Sequence, residues 1–437
     1  MFLPDYVLRC IDALENAGFQ AWAVGGCVRD AILGRIPNDY DLCTDAKPEQ
    51  TEAVFSQYPL ILNGKKHGTV GVILDKNVVE ITTFRTEGDY KDNRHPEWVE
   101  FVPDIRQDLA RRDFTVNAMA YSPKRGFADP FDGRKDLKNR ILRAVGDPEL
   151  RFTEDALRVL RGVRFAVRFD LTPEPKTEEA MASLAHRVTA LAQERVFSEI
   201  CQLLPLVTTD DLLRFAPVLT QVLPALKEQL GYDQSNHHHI YDLYTHTAHV
   251  VGAVPPILHL RWAALLHDTG KPATRTVDEQ GEAHYYGHAQ VSAELAEQIL
   301  SRLKAPTVLR EQVVLLVDKH MVWFELNRKV VRRWISRLGF ETFEDLIALQ
   351  AADSAATGTA GEAEAAHFAQ LRSLAEEIRS VNACLTLKDL AVNGHDLMAL
   401  GYKGKAIGEM LNRLLNLVLE DAVPNEKSAL LATLQET

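Results

Sequence analysis

The stretch that decides the fold is AWAVGGCVRDAILGRIPNDYDLCT, residues 21–44. Its opening apolar run predicts a strand, which turns at Gly25 and Gly26 into a helix-like segment. Asp39 and Asp41 follow, with one residue between them. Because alternate residues of an extended chain face the same side, we expect both carboxylates to converge on one point. The stretch therefore predicts a strand, a tight turn, a helix and an acidic pair.

This order of residues suits the binding of a phosphate together with a cation. Glycines before a helix let backbone N–H groups approach an anion, and Arg29 lies one turn into the predicted helix. Paired carboxylates are ligands that Mg²⁺ prefers, and Mg²⁺ keeps sites for substrate phosphates. Glu80, in the second strand of a hairpin predicted over residues 68–85, is a candidate third carboxylate. Either half alone is typical of an ordinary turn or loop, so the inference depends on the combination.

Composition and charge narrow the class of protein. The chain has 437 residues, 46% of them apolar, which is enough for about two to four domains with their own cores. No apolar run reaches the roughly 18 to 20 residues that span a bilayer, so we expect no membrane segment and a cytoplasmic location. The five cysteines are widely spaced without a CxxC pair, which argues against disulfides and a cysteine zinc site.

The net charge of −12 disfavours a protein that coats nucleic acid through a global positive field. Ten Lys or Arg residues nevertheless fall between residues 134 and 168. An anionic partner could therefore dock on one face.

The hydrophobic period changes along the chain and predicts an α+β fold. An N-terminal α/β head with a small mixed sheet is followed by an elongated all-helical neck, body and tail. The predicted boundaries are 1–138 for the head, 139–205 for the neck, 206–380 for the body and 381–437 for the tail. Residues 352–368, rich in Ala, Gly and Thr, are predicted to form a loop or linker.

The motifs resemble the active-site signature of the nucleotidyltransferase superfamily that includes DNA polymerase β. In particular they are similar to those of class II bacterial tRNA nucleotidyltransferases, the CCA-adding enzymes, and of the related poly(A) polymerases. The resemblance covers roughly residues 19–200 and is carried by Gly25-Gly26-x-Val28-Arg29-Asp30, Leu33-Gly34, Asp39-x-Asp41, RRDFTVNAMAY at 111–121, DPFDGRKDL at 129–137, EDALRVLRGVRFAVRF at 154–169 and ERVFSEI at 194–200.

The resemblance implies that the 3′-terminal CCA, or the terminal A, is added to tRNA from CTP and ATP without a nucleic-acid template. It places two Mg²⁺ ions on Asp39 and Asp41, with Glu80 as a further candidate ligand. In this family a charged loop at the place of residues 85–101 is associated with addition of the terminal A. The sequence leaves open whether the whole CCA or only the A is added, and it leaves the oligomeric state open.

The resemblance also implies which residues hold the nucleotide. Arg111 and Arg112 would contact the triphosphate and Asp113 the ribose. Asp155 and Arg158, three apart on a predicted helix, would read the base edge, although a surface ion pair is the alternative. The other nucleotide-binding candidates are Gly25, Gly26, Arg29, Asn117, Arg161 and Arg164.

Three further motifs have less specific interpretations. Asp129 and Gly133 belong either to a turn that couples the head to the neck or to an ordinary surface turn. The ERVFSEI helix is expected to be structural. The tail segment that begins at residue 394 is similar to the family's C-terminal stretch near the elbow of tRNA. There Lys403, Gly404, Lys405 and Gly408 would let RNA backbone approach, unless they are only a helix cap with ordinary lysines.

The histidines predict a second metal centre. The pair His267-Asp268 in ALLHDTGK follows an apolar helix, and the other candidates appear in the order of an HD-type metal phosphohydrolase. The candidate ligands are His246, His267, Asp268, His288, His320 and Asp353. The resemblance implies an HD domain at about 240–360, a second divalent metal of open identity, and phosphatase or 2′,3′-cyclic phosphodiesterase activity. NHHHIY at 236–241 is expected to line the same pocket or its rim.

Two alternatives remain at this point. A poly(A) polymerase would share the head, but it would be expected to carry a basic RNA-binding extension, whereas this chain is acidic and ends soon after the tail motif. An HD phosphohydrolase with a vestigial head is disfavoured by the intact Asp39, Asp41 and Arg-Arg-Asp motif.

Overall fold

The computed structural model describes residues 1–88, 99–234, 240–358, 361–381 and 383–435. The chain forms two compact units. The head unit comprises residues 1–206 and 214–224, and the helical unit comprises residues 207–213 and 225–437. The finer division into four domains stays a prediction.

A seven-stranded mixed sheet organises the head unit, with the strand order β3-β4-β5-β2-β1-β8-β9. Its size exceeds the small sheet that the sequence predicts. The strands of the head unit are β1 Ala21–Val24, β2 Asp41–Thr44, β3 Leu60–Ile61, β4 Thr69–Leu74, β5 Asn77–Thr83, β6 Arg85–Glu87, β7 Val99–Phe101, β8 Ala120–Ser122, β9 Gly126–Ala128, β10 Ile141–Leu142 and β11 Thr172–Pro173.

The register of the central strands places Asp41 and Glu80 side by side. Strand β1 is buried along its whole length, which explains why it is uniformly apolar. Strands β4 and β5 form the predicted hairpin, and positive φ angles of 49° and 66° at Asp75 and Lys76 suit its tight turn. Strand β2 runs parallel to β5 and sets Asp41 opposite Glu80. The strand, turn and helix predicted for residues 21–44 are confirmed.

Short helices surround this sheet, and longer ones follow it. In chain order these are α1 Asp5–Asn16, α2 Gly26–Ile32, α3 Pro48–Val54, α4 Ile105–Ala110, α5 Gly133–Lys138, α6 Pro148–Glu154, α7 Leu157–Phe169, α8 Pro175–Leu184, α9 Gln193–Leu203, α10 Thr209–Arg214, α11 Ala216–Val222 and α12 Pro224–Lys227. Single 3₁₀ turns span Lys65–His67, Thr115–Asn117 and Ala185–Ala190. One core cluster, which includes Trp22, Phe84 and Leu109, joins β1 and the end of β5 to α4.

The helical unit contains only one short two-stranded sheet within its described residues, β12 Thr276–Val277 paired with β13 Ala283–His284. Its helices are α13 Leu243–Ala253, α14 Leu258–Leu266, α15 Lys271–Thr274, α16 His288–Arg302, α17 Thr307–Lys319, α18 Arg328–Leu338, α19 Phe340–Ala356, α20 Glu362–Ser380, α21 Gly394–Ala399, α22 Lys405–Leu419 and α23 Lys427–Gln435. In the described part of the chain, no helix is long and apolar enough to cross a membrane.

Two predictions about local structure are wrong. Residues 352–368 are mostly helical, because α19 ends at Ala356 and α20 begins at Glu362. Alanine and glutamate favour helix, and here this preference outweighs the glycine signal. The helix predicted over residues 154–169 is broken at Asp155, which has extended backbone between α6 and α7. The absence of disulfides is as predicted, since all five cysteines are free.

Candidate active site and metal centre

The turn after β1 brings the Arg-Arg-Asp motif close to the glycine pair. Gly25 has a φ of 74°, and a Cβ atom at this position would lie 2.7 Å from Nη1 of Arg112. A residue with a side chain would therefore be strained and would displace the guanidinium. Arg112 also interacts with Asp41, where its positive charge partly offsets a rise in the pKa of that carboxyl. The structure thus gathers the glycine turn, a cation and an acidic side chain at one place.

Asp39, Asp41 and Glu80 form an acidic edge at the start of β2 and within β5. All three side chains are exposed, whereas the intervening Tyr40 is buried, as the expected alternation requires. Crowding by surrounding atoms, followed by repulsion from Asp39 and then Glu80, raises the pKa of Asp41 to about 6. The surface of Asp41 remains open to a ligand. Three oxygen-bearing side chains that repel one another suit a divalent cation, which would relieve that repulsion.

A buried carboxylate that the sequence reasoning missed, Asp108, anchors both arginines of the motif. Its Oδ1 atom lies 2.9 Å from Nη2 of Arg111, and its Oδ2 atom lies 3.4 Å from Nη2 of Arg112. Asp108 is inaccessible to solvent, and the two guanidinium groups outweigh its burial and lower its pKa. Its signal in the sequence was its place three and four residues before the arginine pair, which is one helical turn.

Asp113 joins the Arg-Arg-Asp motif to helix α7. It accepts a hydrogen bond from Nε of Arg161 at 2.9 Å and another from Nδ2 of Asn117 at 3.0 Å. Burial would raise the pKa of Asp113, but the guanidinium of Arg161 lowers it to about 2. Farther along α7, Nε of Arg164 donates to Glu199 of the ERVFSEI helix at 2.7 Å. That contact supports a structural role for this helix.

Arg29 occupies a different environment from the open anion pocket that the sequence suggested. Its guanidinium donates to Asn117 at 2.5 Å, pairs with Asp30 at 2.8 Å, and lies 4.1 Å from the ring centroid of Phe169. Only 5% of the residue is exposed, and this burial lowers the pKa of Arg29. Arg29 therefore holds Asn117 in place, and both Arg29 and Arg112 lie beside the glycine turn, since a Cβ atom on Gly26 would be 3.6 Å from Nη2 of Arg29.

Asp155 and Arg158 do not share one helical face as predicted, because Asp155 lies in the break between helices. Its Oδ1 atom caps α7 at Leu157, and its Oδ2 atom pairs with Arg195 at 3.0 Å. Arg158 pairs with Glu154 at 2.7 Å. It also donates to the backbone oxygen of Arg111 at 3.0 Å, which links it to the Arg-Arg-Asp motif. The simple surface pair between Asp155 and Arg158 is absent from these described contacts.

The turn motif at residues 129–137 packs against the same region. Asp129 accepts hydrogen bonds from the backbone N–H groups of Gly133 at 2.7 Å and Arg134 at 3.0 Å, so it begins α5. A Cβ atom on Gly133 would lie 2.2 Å from the backbone oxygen of Thr115. This approach fixes the start of α5 against the 3₁₀ turn Thr115–Asn117, and coupling of the head to the neck stays a prediction.

The six predicted ligands of the second centre come together in the helical unit. They form two groups that share Asp268, and within each group the ligand atoms all lie within 4.8 Å of one another. One group is His246, His267, Asp268 and Asp353, and the other is Asp268, His288 and His320. Oδ2 of Asp268 is 3.2 Å from Nε2 of His267, while its Oδ1 atom is 3.2 Å from Nε2 of His288. Asp268 therefore faces both groups with different oxygens.

Backbone carbonyls fix the orientation of all four imidazoles. Nδ1 lies near a carbonyl oxygen in His246 (Ala356, 3.2 Å), His267 (Ala264, 2.8 Å), His288 (Tyr285, 2.8 Å) and His320 (Val317, 2.6 Å). Since a carbonyl only accepts, each Nδ1 carries a proton, and each ring directs its Nε2 atom into the cluster. The Nε2 atoms of His288 and His320 face each other at 3.2 Å. This arrangement fits a metal site.

The charges around the cluster favour a cation at its centre. Burial opposes a charge on His267, yet Asp268 and Asp353 raise its pKa to about 10. Lys271, which the sequence reasoning did not single out, pairs with Oδ2 of Asp268 at 2.7 Å and donates to Gln234 at 2.9 Å. Its signal was its place one helical turn after Asp268 in HDTGK.

The structure describes only parts of the NHHHIY segment and of the charged loop, and it places the tail motif at the start of α22. Residues 236–239 of the NHHHIY segment and most of the charged loop at 85–101 lie outside the described residues, although β6 and β7 pair at the two ends of that loop. In the tail, Gly404 has a φ of 56° and precedes α22, and the side chain of Lys405 is 93% exposed. These tail positions are accessible to a partner.

Three sequence profiles match successive parts of the chain. Residues 21–143 match the family described as "Poly A polymerase head domain". Residues 170–230 match "Probable RNA and SrmB- binding site of polymerase A", and residues 280–434 match "tRNA nucleotidyltransferase domain 2 putative". The last range includes His288, His320 and Asp353.

Two similar curated proteins are named CCA-adding enzyme. The chain is 32% identical over 443 residues to the CCA-adding enzyme of Streptococcus thermophilus, a match that covers 99% of this chain and 98% of the relative. It is 49% identical over 197 residues to the CCA-adding enzyme of Streptococcus suis, where the match covers 45% of this chain and 48% of the relative. The identity is therefore higher in the shorter match than in the match over the whole chain.

Solved structures agree with these sequence matches. The Bacillus stearothermophilus CCA-adding enzyme in complex with CTP is similar with a TM-score of 0.72 at 28% identity, over 100% of this chain and 98% of that one. The Thermotoga maritima CCA-adding enzyme complexed with tRNA has a TM-score of 0.59 at 22% identity, over 99% and 96% of the two chains. The second similarity supports the fold.

Proposed function

Because the chain belongs to the CCA-adding enzyme family of nucleotidyltransferases, we propose that its head unit adds C and A residues to the 3′ end of tRNA from CTP and ATP without a nucleic-acid template. The observation that carries this proposal is the acidic edge of Asp39, Asp41 and Glu80 beside Gly25 and Arg112. In each addition, the 3′-oxygen of tRNA bonds to the α-phosphorus while the bond to pyrophosphate breaks. The reaction takes place in the cytoplasm.

The acidic edge would hold divalent metal, with Mg²⁺ as the ion. When bound, such ions activate the attacking hydroxyl and stabilise charge on the α-phosphate and the leaving pyrophosphate. Asp39 and Asp41 are the ligands, and Glu80 is the third candidate because β5 pairs with β2 at that position. Arg112 contributes positive charge beside the triphosphate, and Asp108 holds both arginines of the motif in place.

The residues that select the base lie near the start of α7. Asp113, fixed by Arg161 and Asn117, orients the ribose. Asp155 and Arg158 read the base edge, and each must exchange its present partner, Arg195 or Glu154, to do so. After that exchange, the Asp155 carboxylate would accept from the base edge and the Arg158 guanidinium would donate to it.

The test is incorporation of labelled CMP and AMP into tRNA that lacks CCA. We expect Asp39→Ala or Asp41→Ala to abolish incorporation while tRNA binding persists, because contacts to the tRNA backbone lie elsewhere. Asp12→Ala, an exposed acid on α1, serves as the control and should retain full activity. Retained incorporation in either active-site variant would refute the metal assignment.

The same assay separates the remaining alternatives. Arg158→Ala should blur the choice between CTP and ATP more than it weakens total nucleotide binding, and an unchanged preference would remove its role in selection. Sequencing of the 3′ ends distinguishes addition of CCA from addition of A alone. Equal extension of tRNA and generic RNA would favour a poly(A) polymerase instead.

A second activity is favoured by the two-sided geometry of Asp268. We propose that the helical unit binds divalent metal on His246, His267, Asp268, His288, His320 and Asp353 and hydrolyses phosphate monoesters or 2′,3′-cyclic phosphates. Its metal ions would polarise the phosphate and supply a nucleophilic water. The buried cluster and the carbonyl-fixed imidazoles support this proposal.

Measurement of bound metal tests this second activity. Asp268→Asn should lower the bound Mn²⁺ or Ni²⁺ by at least about tenfold, because this residue faces both groups of ligands. Asp278→Asn, which removes an acid on the nearby β12–β13 turn, should leave the metal content unchanged. CCA addition should survive both changes. No bound metal, together with no hydrolysis in Mn²⁺, Ni²⁺ or Mg²⁺, would refute the second activity.

A further inference from the structure

Part of the His and Asp cluster lines a cavity of about 620 Å³ within the helical unit. Cluster residues on its wall include Asp268, His288 and His320. Its volume lies in the range of small-molecule sites, roughly 300 to 1,000 Å³. A bare phosphate would leave most of this space empty.

Two aromatic side chains on the cavity wall are unusually open to solvent. Trp323 is 62% exposed and Tyr286 is 80% exposed, and both line the cavity. Exposed aromatic side chains that line a pocket are typical of sites that bind a ligand. Tyr286 precedes the ligand His288 by two residues, and Trp323 follows the ligand His320 by three. Both platforms are therefore tied by the chain to the metal centre.

Each aromatic ring is supported on one face by a histidine. Trp323 stacks on His367 with ring centroids 4.1 Å apart and an interplanar angle of 12°. Tyr286 stacks on His284 at 5.5 Å and 14°. Because one face of each ring is covered and the side chains are still mostly exposed, the remaining exposure belongs largely to the opposite faces.

The loop that carries Trp323 is also held in place. Nε2 of Gln350 donates to the backbone oxygens of His320 at 3.0 Å and Val322 at 2.5 Å. Phe368 packs edge-on against the indole with centroids 6.1 Å apart. A platform that is already ordered loses little conformational entropy when a ligand stacks on it.

We propose that Trp323 and Tyr286 form a base-stacking subsite, so that the cavity takes a nucleoside phosphate with its base on an aromatic platform and its phosphate on the His and Asp cluster. The proposal rests on the second activity above for the position of the phosphate. Flat bases stack on aromatic side chains without regard to sequence, so the subsite accepts any base. Lys271, on the same wall, adds positive charge near the phosphate end.

Ligand binding to the full-length protein tests the subsite directly. Calorimetric titrations with 3′-AMP and with ribose 5-phosphate are compared, both with Mn²⁺ present and after chelation. We expect 3′-AMP to bind about tenfold or more tightly than ribose 5-phosphate, from the stacking of one base. Trp323→Ala should abolish that preference, and Trp323→Phe should keep much of it. Tyr286→Ala should reduce it.

The controls separate the subsite from the nucleotide site of the head. The head is unaltered in the Trp323 variants, so its contribution cancels in the comparison. Phe2→Ala removes an exposed aromatic side chain of the head unit and should change nothing. The subsite is overturned if 3′-AMP binds no more tightly than ribose 5-phosphate, or if Trp323→Ala binds 3′-AMP as the unmodified protein does.

The outcomes also distinguish this inference from the metal proposal. Bound metal without any dependence on Trp323 would leave the metal centre standing and remove the subsite. A base preference that depends on Trp323 in a protein without bound metal would support the subsite and remove the metal centre.

Discussion

At the scale of single residues, the head depends on buried charges that are neutralised by specific partners. Asp113 is 8% exposed and bonds both Arg161 and Asn117. Asn117 in turn accepts from Arg29. A buried carboxylate is tolerated only when it is paired. A substitution of any one residue in this hydrogen-bond network should therefore affect the others.

The low pKa of Asp113 predicts how pH affects stability. Its folded value of about 2 lies below the ordinary value of 3.8. The resulting stabilisation is complete above about pH 4 and is lost as pH falls toward 2. Arg161→Met leaves the carboxylate buried and unpaired, so it should destabilise the head at pH 7 by about 3 kcal/mol. Because protonation then neutralises Asp113, the difference from the unmodified protein should shrink on acidification.

Urea unfolding of the head at pH 7 and at pH 4 measures this difference. Arg9→Met, which removes an exposed ion pair with Asp75, is the matched control and should have little effect at either pH. A deficit in Arg161→Met that is equal at both pH values would show that lost packing, and not the unpaired charge, is responsible.

At the scale of secondary structure elements, close backbone contacts set the position of the Arg-Arg-Asp motif. Helix α5 begins against the 3₁₀ turn Thr115–Asn117, and Gly133 is the point of contact. Asp129 holds the start of the helix there. Asn117 lies on this turn, so a shift of α5 would also move this candidate nucleotide-binding residue.

Gly133→Ala should therefore cost about 1 to 3 kcal/mol of folding free energy, because the new methyl group meets backbone that cannot move aside alone. It should also lower CMP and AMP incorporation. In Gly408→Ala, a Cβ atom would have no neighbour within 4 Å on helix α22, so stability should be unchanged or slightly higher. Thermal unfolding of both variants provides the measurement. Equal stability of the two would contradict the contact.

The elements also show what sequence patterns could predict. The β4–β5 hairpin was predictable because alternation and a polar turn agree, and both are local. The break at Asp155 was missed because it depends on a distant partner, Arg195, 40 residues away. The helix at 362–368 was missed because glycines in 358–361 suggested a loop, while the flanking alanines and glutamates favoured helix.

The residues of the candidate sites also differ in how far they could be predicted from sequence. The HD-type cluster was predictable as a set of ligands, because six His and Asp residues in a known order carry that information. Asp108 and Lys271 were missed, although each lies within one helical turn of a residue that was predicted. Trp323 and Tyr286 could not be assigned from sequence, since an isolated aromatic residue is more often part of a core.

At the scale of the whole molecule, the protein must bind a polyanion although its own net charge is −12. Long-range repulsion then has to be overcome by local positive charge. Most arginines of the head are already paired with acids, but Arg35 and Arg168 are exposed and have no ion pair within the described residues. Their guanidinium carbons lie 5.1 and 5.3 Å from the ring centroid of Phe169, so one aromatic ring holds both.

Arg35 and Arg168 share this ring with the buried Arg29, and a phosphate would relieve the repulsion among these like charges. We expect Arg35→Ala and Arg168→Ala each to weaken tRNA binding and to reduce the slope of log K against log salt by about 1. Arg9→Ala, which removes an arginine already paired with Asp75, should leave the slope unchanged. Filter binding of tRNA over a series of salt concentrations gives these slopes. Slopes that stay unchanged in both variants would mean that the phosphates dock on other residues, and that the Phe169 pair only stabilises the end of α7.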